Sequence, residues 1–261
     1  MRRATRTLQI ATALAACATP LAPLAAQRSG GLPFGPGEAC TYRGTSAMGR
    51  MGSGTFSIAR DSAGEGNWVL RFDFRGRMGI VGVENHTRSY FDPAETASFR
   101  FTKTERSPLS TKRQDVRMDR QTRRFTATSG RDATGVMPTT APLDELSFIF
   151  FLRTLRLAEG DSYDFTRHYD PARNPVRVRV IGRGLIRVPA GDFQAVEVEM
   201  RVRDPNHYGR EGVIQIHFTD DARHVPIRLE SQIPVAGRMV LSLERLTPAC
   251  GASVATTHAA D

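Results

Sequence analysis

The sequence predicts a mainly β protein: an antiparallel β-barrel or half-open β-spiral wrapped around one buried helix at about residues 142–156. Three observations carry this. Apolar and polar residues alternate over many short runs, the period of a sheet with one wet face. Turn residues separate those runs at spacings of about 8–12 residues, as in sandwiches and barrels. One stretch, Leu143–Leu157 (LDELSFIFFLRTLRL), is instead apolar around most of a helical circumference, which marks a helix buried on most sides.

Composition sets the frame. The 261 residues suit one large β domain or two small ones, and 40% hydrophobic residues are enough for a core. Formal net charge is +9, and Lys103 and Lys112 are the only lysines, so the basic character is almost wholly arginine. Such a surface attracts nucleic acid, acidic lipid headgroups or polysaccharide alike.

Residues 1–26 have the layout of a secretory signal peptide. Arg2, Arg3 and Arg6 precede an apolar stretch from Leu8, which ends in Leu24-Ala25-Ala26 before Gln27. Leu14-Ala15-Ala16-Cys17 also resembles a lipobox, with Cys17 as the lipidated residue of an outer-membrane lipoprotein. Either reading sends the chain to the periplasm or cell envelope. In an oxidising compartment Cys40 and Cys250 are then expected to form a disulfide, closing almost the whole domain. Two free buried thiols are the alternative.

Residues 27–37 are Gly/Pro-rich and read as an irregular lead-in to one β domain spanning 38–250. The first strand is expected at Glu38–Thr45, a bend at Met48–Gly54 and a second strand at Thr55–Arg60. Asn67–Arg75 alternates well: Trp68, Leu70, Phe72 and Phe74 share one face, Arg71, Asp73 and Arg75 the other. Strands follow at Gly82–Phe91, Thr96–Thr104, Gln114–Asp119 and Arg123–Thr128, then a loop at Gly130–Pro138. The helix comes next, with Thr140 as its expected N-cap, Asp144 and Glu145 at its positive end, and Arg153 and Arg156 at its negative end. A second β block runs through Ser162–Tyr169, Pro175–Ile181, Gly184–Val188, Phe193–Arg203, Gly212–Thr219, Val225–Gln232 and Gly237–Leu246. Residues 251–261 are small and polar and read as a disordered tail.

Several landmarks in order resemble a bacterial exported family, domain of unknown function 3108. They are Pro36-Gly37-Glu38 with Tyr42, then Asp144 leading to Leu152-Arg153 and Leu155–Gly160. Val188-Pro189-Ala190-Gly191-Asp192-Phe193 follows, then Thr219-Asp220-Asp221-Ala222-Arg223 with Val225-Pro226-Ile227. The resemblance spans about residues 33–247. Cys40 and His217 depart from the pattern, which more often has an apolar residue and a tryptophan there. The resemblance implies an envelope protein of barrel or spiral type, and it brings neither an activity nor catalytic residues.

Candidate chemistry is sparse. Asp220-Asp221 reads as a turn, with an acid pair or cation site as the alternative. His168, His207, His217 and His224 are too scattered for a metal signature, and no metal, cofactor or catalytic residue is assigned. No G-x-S-x-G elbow, P-loop, G-x-G-x-x-G or C-x-x-C occurs. Arg113, Arg117, Arg123 and Arg124 sit in a basic segment that could take anionic headgroups; a solvated outer strand face is the alternative, and export argues against nucleic acid. Phe148, Phe150 and Phe151, with Phe72 and Phe74, are the expected lining of any interior cavity. The leading expectation is a non-enzymatic envelope protein serving integrity or assembly, whose partner is lipid or another envelope component. A carrier holding a lipid or acyl chain inside the barrel is the alternative, and an envelope hydrolase using Asp220 or Asp221 with a histidine is a third. Whether the helix fills the interior divides scaffold from carrier. The oligomeric state is left open.

Overall fold

Alternating strands joined by tight turns build one antiparallel sheet. The computed structural model describes residues 31–47, 49–64, 66–129, 131–203, 211–233 and 237–247. The signal segment with Cys17, the tail and Cys250 lie outside the described residues. Before the helix come β1 (Ala39–Ser46), β2 (Gly49–Arg60), β3 (Trp68–Met78), β4 (Val81–Asp92), β5 (Ala97–Ser107), β6 (Ser110–Asp119), β7 (Arg124–Ser129) and β8 (Arg131–Val136). After α1 (Glu145–Leu152) come β9 (Ser162–Phe165), β10 (Val176–Val188), β11 (Gly191–Arg203), β12 (Glu211–Thr219), β13 (Pro226–Ile233) and β14 (Gly237–Thr247). The spatial order is β8-β7-β6-β5-β4-β3-β2-β1-β14-β13-β12-β11-β10-β9. Two meanders are therefore stitched together where β1 pairs with β14, and the outer strands β8 and β9 do not pair with each other.

The half-open barrel is thus the observed fold, and the chain crosses its interior between β8 and β9. One continuous core joins both meanders to the helix. Tyr42, Leu70, Phe91, Phe101 and Val116 meet Val178, Val196, Val198, Ile216, Phe218 and Ile227 around Leu146, Phe148, Phe150, Phe151 and Leu152. Across the gap, Tyr169 after β9 reaches the first meander, taking a hydrogen bond from Gln114 Nε2 at 3.2 Å and packing on Phe125.

The helix is shorter than 142–156, and Asp144 rather than Thr140 caps it. Leu143 is held extended: its N–H donates to the Arg167 carbonyl at 2.7 Å and its carbonyl accepts from Tyr169 N–H at 3.0 Å. Helical geometry can start only after that bridge. At the other end Thr154 and Leu155 donate to Phe151 and Leu152, three residues back, a tightened last turn.

Strand boundaries also differ, and the strand expected at Ser162–Tyr169 stops at Phe165. Gly130–Pro138 contains β8 rather than only a loop. The Gly-rich stretch after Met48 is strand, because glycine lets rings lie across the sheet there. A Cβ on Gly44 would come within 2.9 Å of the Phe74 ring, and one on Gly54 within 3.0 Å of Phe72. Residues 176–188 form one strand with a bulge between Val180 and Gly182 rather than two.

Candidate functional site

The antiparallel order puts the β1–β2, β3–β4 and β5–β6 turns at one rim of the barrel. The chain entry at Pro33–Glu38, the β4–β5 turn and the β12–β13 turn gather at the other. The helix fills only the half nearer the second rim.

That second rim is sealed by polar contacts at both ends of the helix. At its N-terminus Asp144 is fully buried. Its Oδ1 accepts from the N–H groups of Leu146 and Ser147, both at 2.9 Å, and its Oδ2 from Ser89 Oγ at 2.5 Å. Ser98 Oγ donates to Ser147 Oγ at 2.8 Å, so β4 and β5 both hold the cap. Burial raises the Asp144 pKa, against the hydrogen bonds from Ser89 and the cap. At its C-terminus Arg153 is almost wholly inaccessible. Its Nη1 meets Glu38 Oε1 at 2.5 Å and its Nη2 meets Oε2 at 3.1 Å. Nε donates to the Arg223 carbonyl at 3.1 Å and Nη2 to the Pro33 carbonyl at 3.3 Å. The guanidinium also lies over the Phe34 and Phe150 rings. Arg223 adds a second cation to Glu38 at 3.4 Å. Tyr42 beside it donates to the Pro226 carbonyl at 2.6 Å.

The other half of the interior is not filled. One cleft of about 260 Å³ lies beside the helix, between Phe56 and Phe72 on one wall, Ile214, Leu229 and Leu241 on the other, and Leu146 and Ile149 at the base. A second, of about 300 Å³, continues to the open rim between Met51, Phe72, Phe74 and Val83. Phe72, Asn85 and Met239 line both, so the two adjoin. Among the described residues Lys103 is the one basic side chain on the inner cleft, set between Glu105 at 3.2 Å and Glu145 at 3.5 Å. Burial works against its charge, but the two carboxylates outweigh it and its pKa rises. Glu145 is pushed up by burial and brought below its usual range by Lys103 and Arg173. The outer cleft has Glu84, Glu105, Arg106 and Lys112 around its mouth. An apolar trough with a charged mouth can take an amphiphile, tail inward.

Of the expected lining residues, Phe72 and Phe74 border this space, whereas Phe148, Phe150 and Phe151 are buried in the packed core with Phe165 and Phe34. Arg113, Arg117, Arg123 and Arg124 are all exposed, but they are spread along β6 and β7: Arg113 lies toward the open rim and Arg123 and Arg124 at the far turn. Six residues of strand between Arg113 and Asp119 span about 20 Å, so they do not form one cluster. Asp221 Oδ1 accepts from the N–H groups of Arg223 and His224 and from Thr219 Oγ1, while Asp220 pairs with Arg183 at 2.9 Å. Asp221 thus holds the turn and Asp220 ties it to β10, and His224 Nδ1 is turned to the Arg153 carbonyl at 3.0 Å. His207 lies outside the described residues. Cys40 is buried and has no disulfide partner among the described residues; burial first, then Glu38, raise its thiol pKa to about 12.

The alternation of the strands pointed to inward faces but missed Met51, Val83, Ile149 and Met239 as lining. Their signal is being inward and lacking a large neighbour opposite, which only the curl of the sheet decides.

No curated protein sequence matches the chain. In fold it is similar to the crystal structure of a beta-barrel-like protein of domain of unknown function DUF1849 from Brucella abortus, with 11% identity and a TM-score of 0.54, over 82% of this chain and 98% of that one. Weaker superpositions are with a lipoprotein candidate from Parabacteroides distasonis (12% identity, TM-score 0.33, 83% and 99% covered) and a candidate exported protein of YmcC-like fold from Bacteroides fragilis (12%, 0.32, 83% and 98%). The first supports the open barrel-like fold. The family model for proteins of unknown function DUF3108 matches residues 41–244, and the chain belongs to that family.

Proposed function

We propose that this protein is an exported cell-envelope component that works by holding the apolar chain of a lipid in the open half of its interior. The observation that carries the reading is the unfilled trough from Ile149 to the open rim, walled by Phe72, Met239 and Leu241. A scaffold that served only as an outer surface would gain by closing this space. Packed interiors leave few voids larger than a water molecule. Charge at the mouth, and walls within whose one cation, Lys103, is matched by Glu145, suit a single-headed amphiphile. Export follows from the basic and apolar leader, and a bridge between Cys40 and Cys250 belongs to the same reading. Cys40 lies opposite Leu246, four residues before Cys250, so the bridge requires the chain beyond Thr247 to bring the two sulfurs to bonding distance.

Native mass spectrometry of the protein purified from an envelope fraction tests the cargo. The expected result is a lipid adduct that Met239→Trp removes, because the indole occupies the shared wall. Absence of any adduct from the unaltered protein, with unchanged folding, would overturn it. The bridge is read in the same spectra, as a mass gain of two hydrogens on reduction.

A further inference from the structure

We infer that the open rim docks reversibly on an anionic lipid surface, through the β3–β4 and β5–β6 hairpin tips. Ile80 is 96% exposed and Leu109 is 92% exposed, the most exposed large apolar side chains among the described residues. Both occupy turns, where glycine, asparagine, aspartate and serine are the residues that turn geometry and water favour. The tips lie side by side: a shallow surface hollow is lined by Arg75, Arg77, Val83 and Glu84 from the first hairpin and by Arg106 and Pro108 from the second.

Charge selects the occupant. Glu84 is taken by Arg75 at 2.9 Å and Glu105 by Lys103 at 3.2 Å. Arg77, Arg106, Lys112 and Arg113 are exposed and have no acidic partner among the described residues. Two projecting aliphatic tips inside a collar of unpaired cations match the boundary of an anionic leaflet, where side chains enter the acyl edge and cations meet headgroups. A protein partner of ordinary size would need a broader complementary face than two tips provide. Arg106, Lys112 and Val83 also border the interior trough, so the docked rim would open it toward the lipid. Docking does not depend on the trough holding a ligand.

Vesicle co-sedimentation of the purified chain tests it, comparing phosphatidylcholine mixed with phosphatidylglycerol against phosphatidylcholine alone. Binding should favour the anionic vesicles and weaken with salt. Arg77→Ala with Lys112→Ala should lower it on the order of 25-fold, about fivefold for each cation removed. Ile80→Ser with Leu109→Ser should lower it about tenfold or more. Leu185→Ser, at an exposed aliphatic on β10 away from the rim, should leave binding unchanged. Equal binding to both vesicle types, rim variants that bind like the parent, or no vesicle binding at all would overturn the proposal; the last would leave the tips to a protein partner.

Discussion

Glu38 and Arg153 are 115 positions apart and share one buried ion pair. A guanidinium and a carboxylate taken from water are tolerated only when nearly every donor and acceptor is matched. Here the Pro33 and Arg223 carbonyls and two aromatic rings complete the match. Arg153→Met should therefore destabilise the protein by about 3–5 kcal/mol, because Glu38 stays buried with only the more distant Arg223. Arg153→Met with Glu38→Leu should recover most of that loss. Urea unfolding of both variants checks the pair, and a double variant as unstable as the single would contradict it. His168 offers a pH test. Burial first, then Arg173, depress its pKa to about 4, against the pull of Glu145 and Asp170. The unfolded chain takes that proton near its ordinary value of 6.5, the native state only near 4, so stability is full above 6.5 and lost as pH falls. The loss approaches about 3 kcal/mol by pH 4. Replacement by asparagine, which can still accept from Asp170 N–H, should flatten this part of the melting-temperature profile between pH 7 and 4. A profile as steep as the parent's would assign the pH dependence to other groups.

At the scale of elements, the helix shows what a sequence can and cannot display. Its apolar circumference is local, so its presence was legible. Its start was not, because the parallel bridge from Leu143 to His168 is a tertiary contact that overrides the Thr140 signal. Strand β8 was missed for a related reason: residues 132–134 and 136 are exposed, so no inward alternation marks it. The helix cap carries its own prediction. Asp144→Ala removes the acceptor for two backbone N–H groups and for Ser89 inside the core. The expected cost is about 2–4 kcal/mol, a lost cap plus a buried hydroxyl left without its partner. Asparagine should cost much less, since it keeps the cap oxygen and removes the charge that burial disfavours at Asp144. Thermal melts of the two variants separate capping from charge.

At the scale of the whole molecule, the residues that carried the family resemblance converge. Glu38, Tyr42, Asp144, Arg153, Arg223 and Pro226 all serve the sealed rim, far apart in sequence and joined only by the curl of the sheet. The trough at the other rim left no such trace, since an inward apolar residue reads alike whether or not it has a partner across the barrel. The strands should differ in dynamics. β1 is paired on both sides and Tyr42 on it is fully buried, whereas β8 is an edge paired only to β7 with most of its side chains in water. Amide hydrogen exchange should therefore show β8 opening at least about a hundredfold more often than β1, a difference of about 3 kcal/mol in local stability. An acyl ligand in the trough gives a further signature. Palmitate should raise protection on β3 and β14, which carry Phe72 and Met239, and leave β8 unchanged. Protection gained equally along all strands would mean that palmitate acts on global stability rather than in the trough, and no gain on β3 or β14 would remove the trough as its binding place.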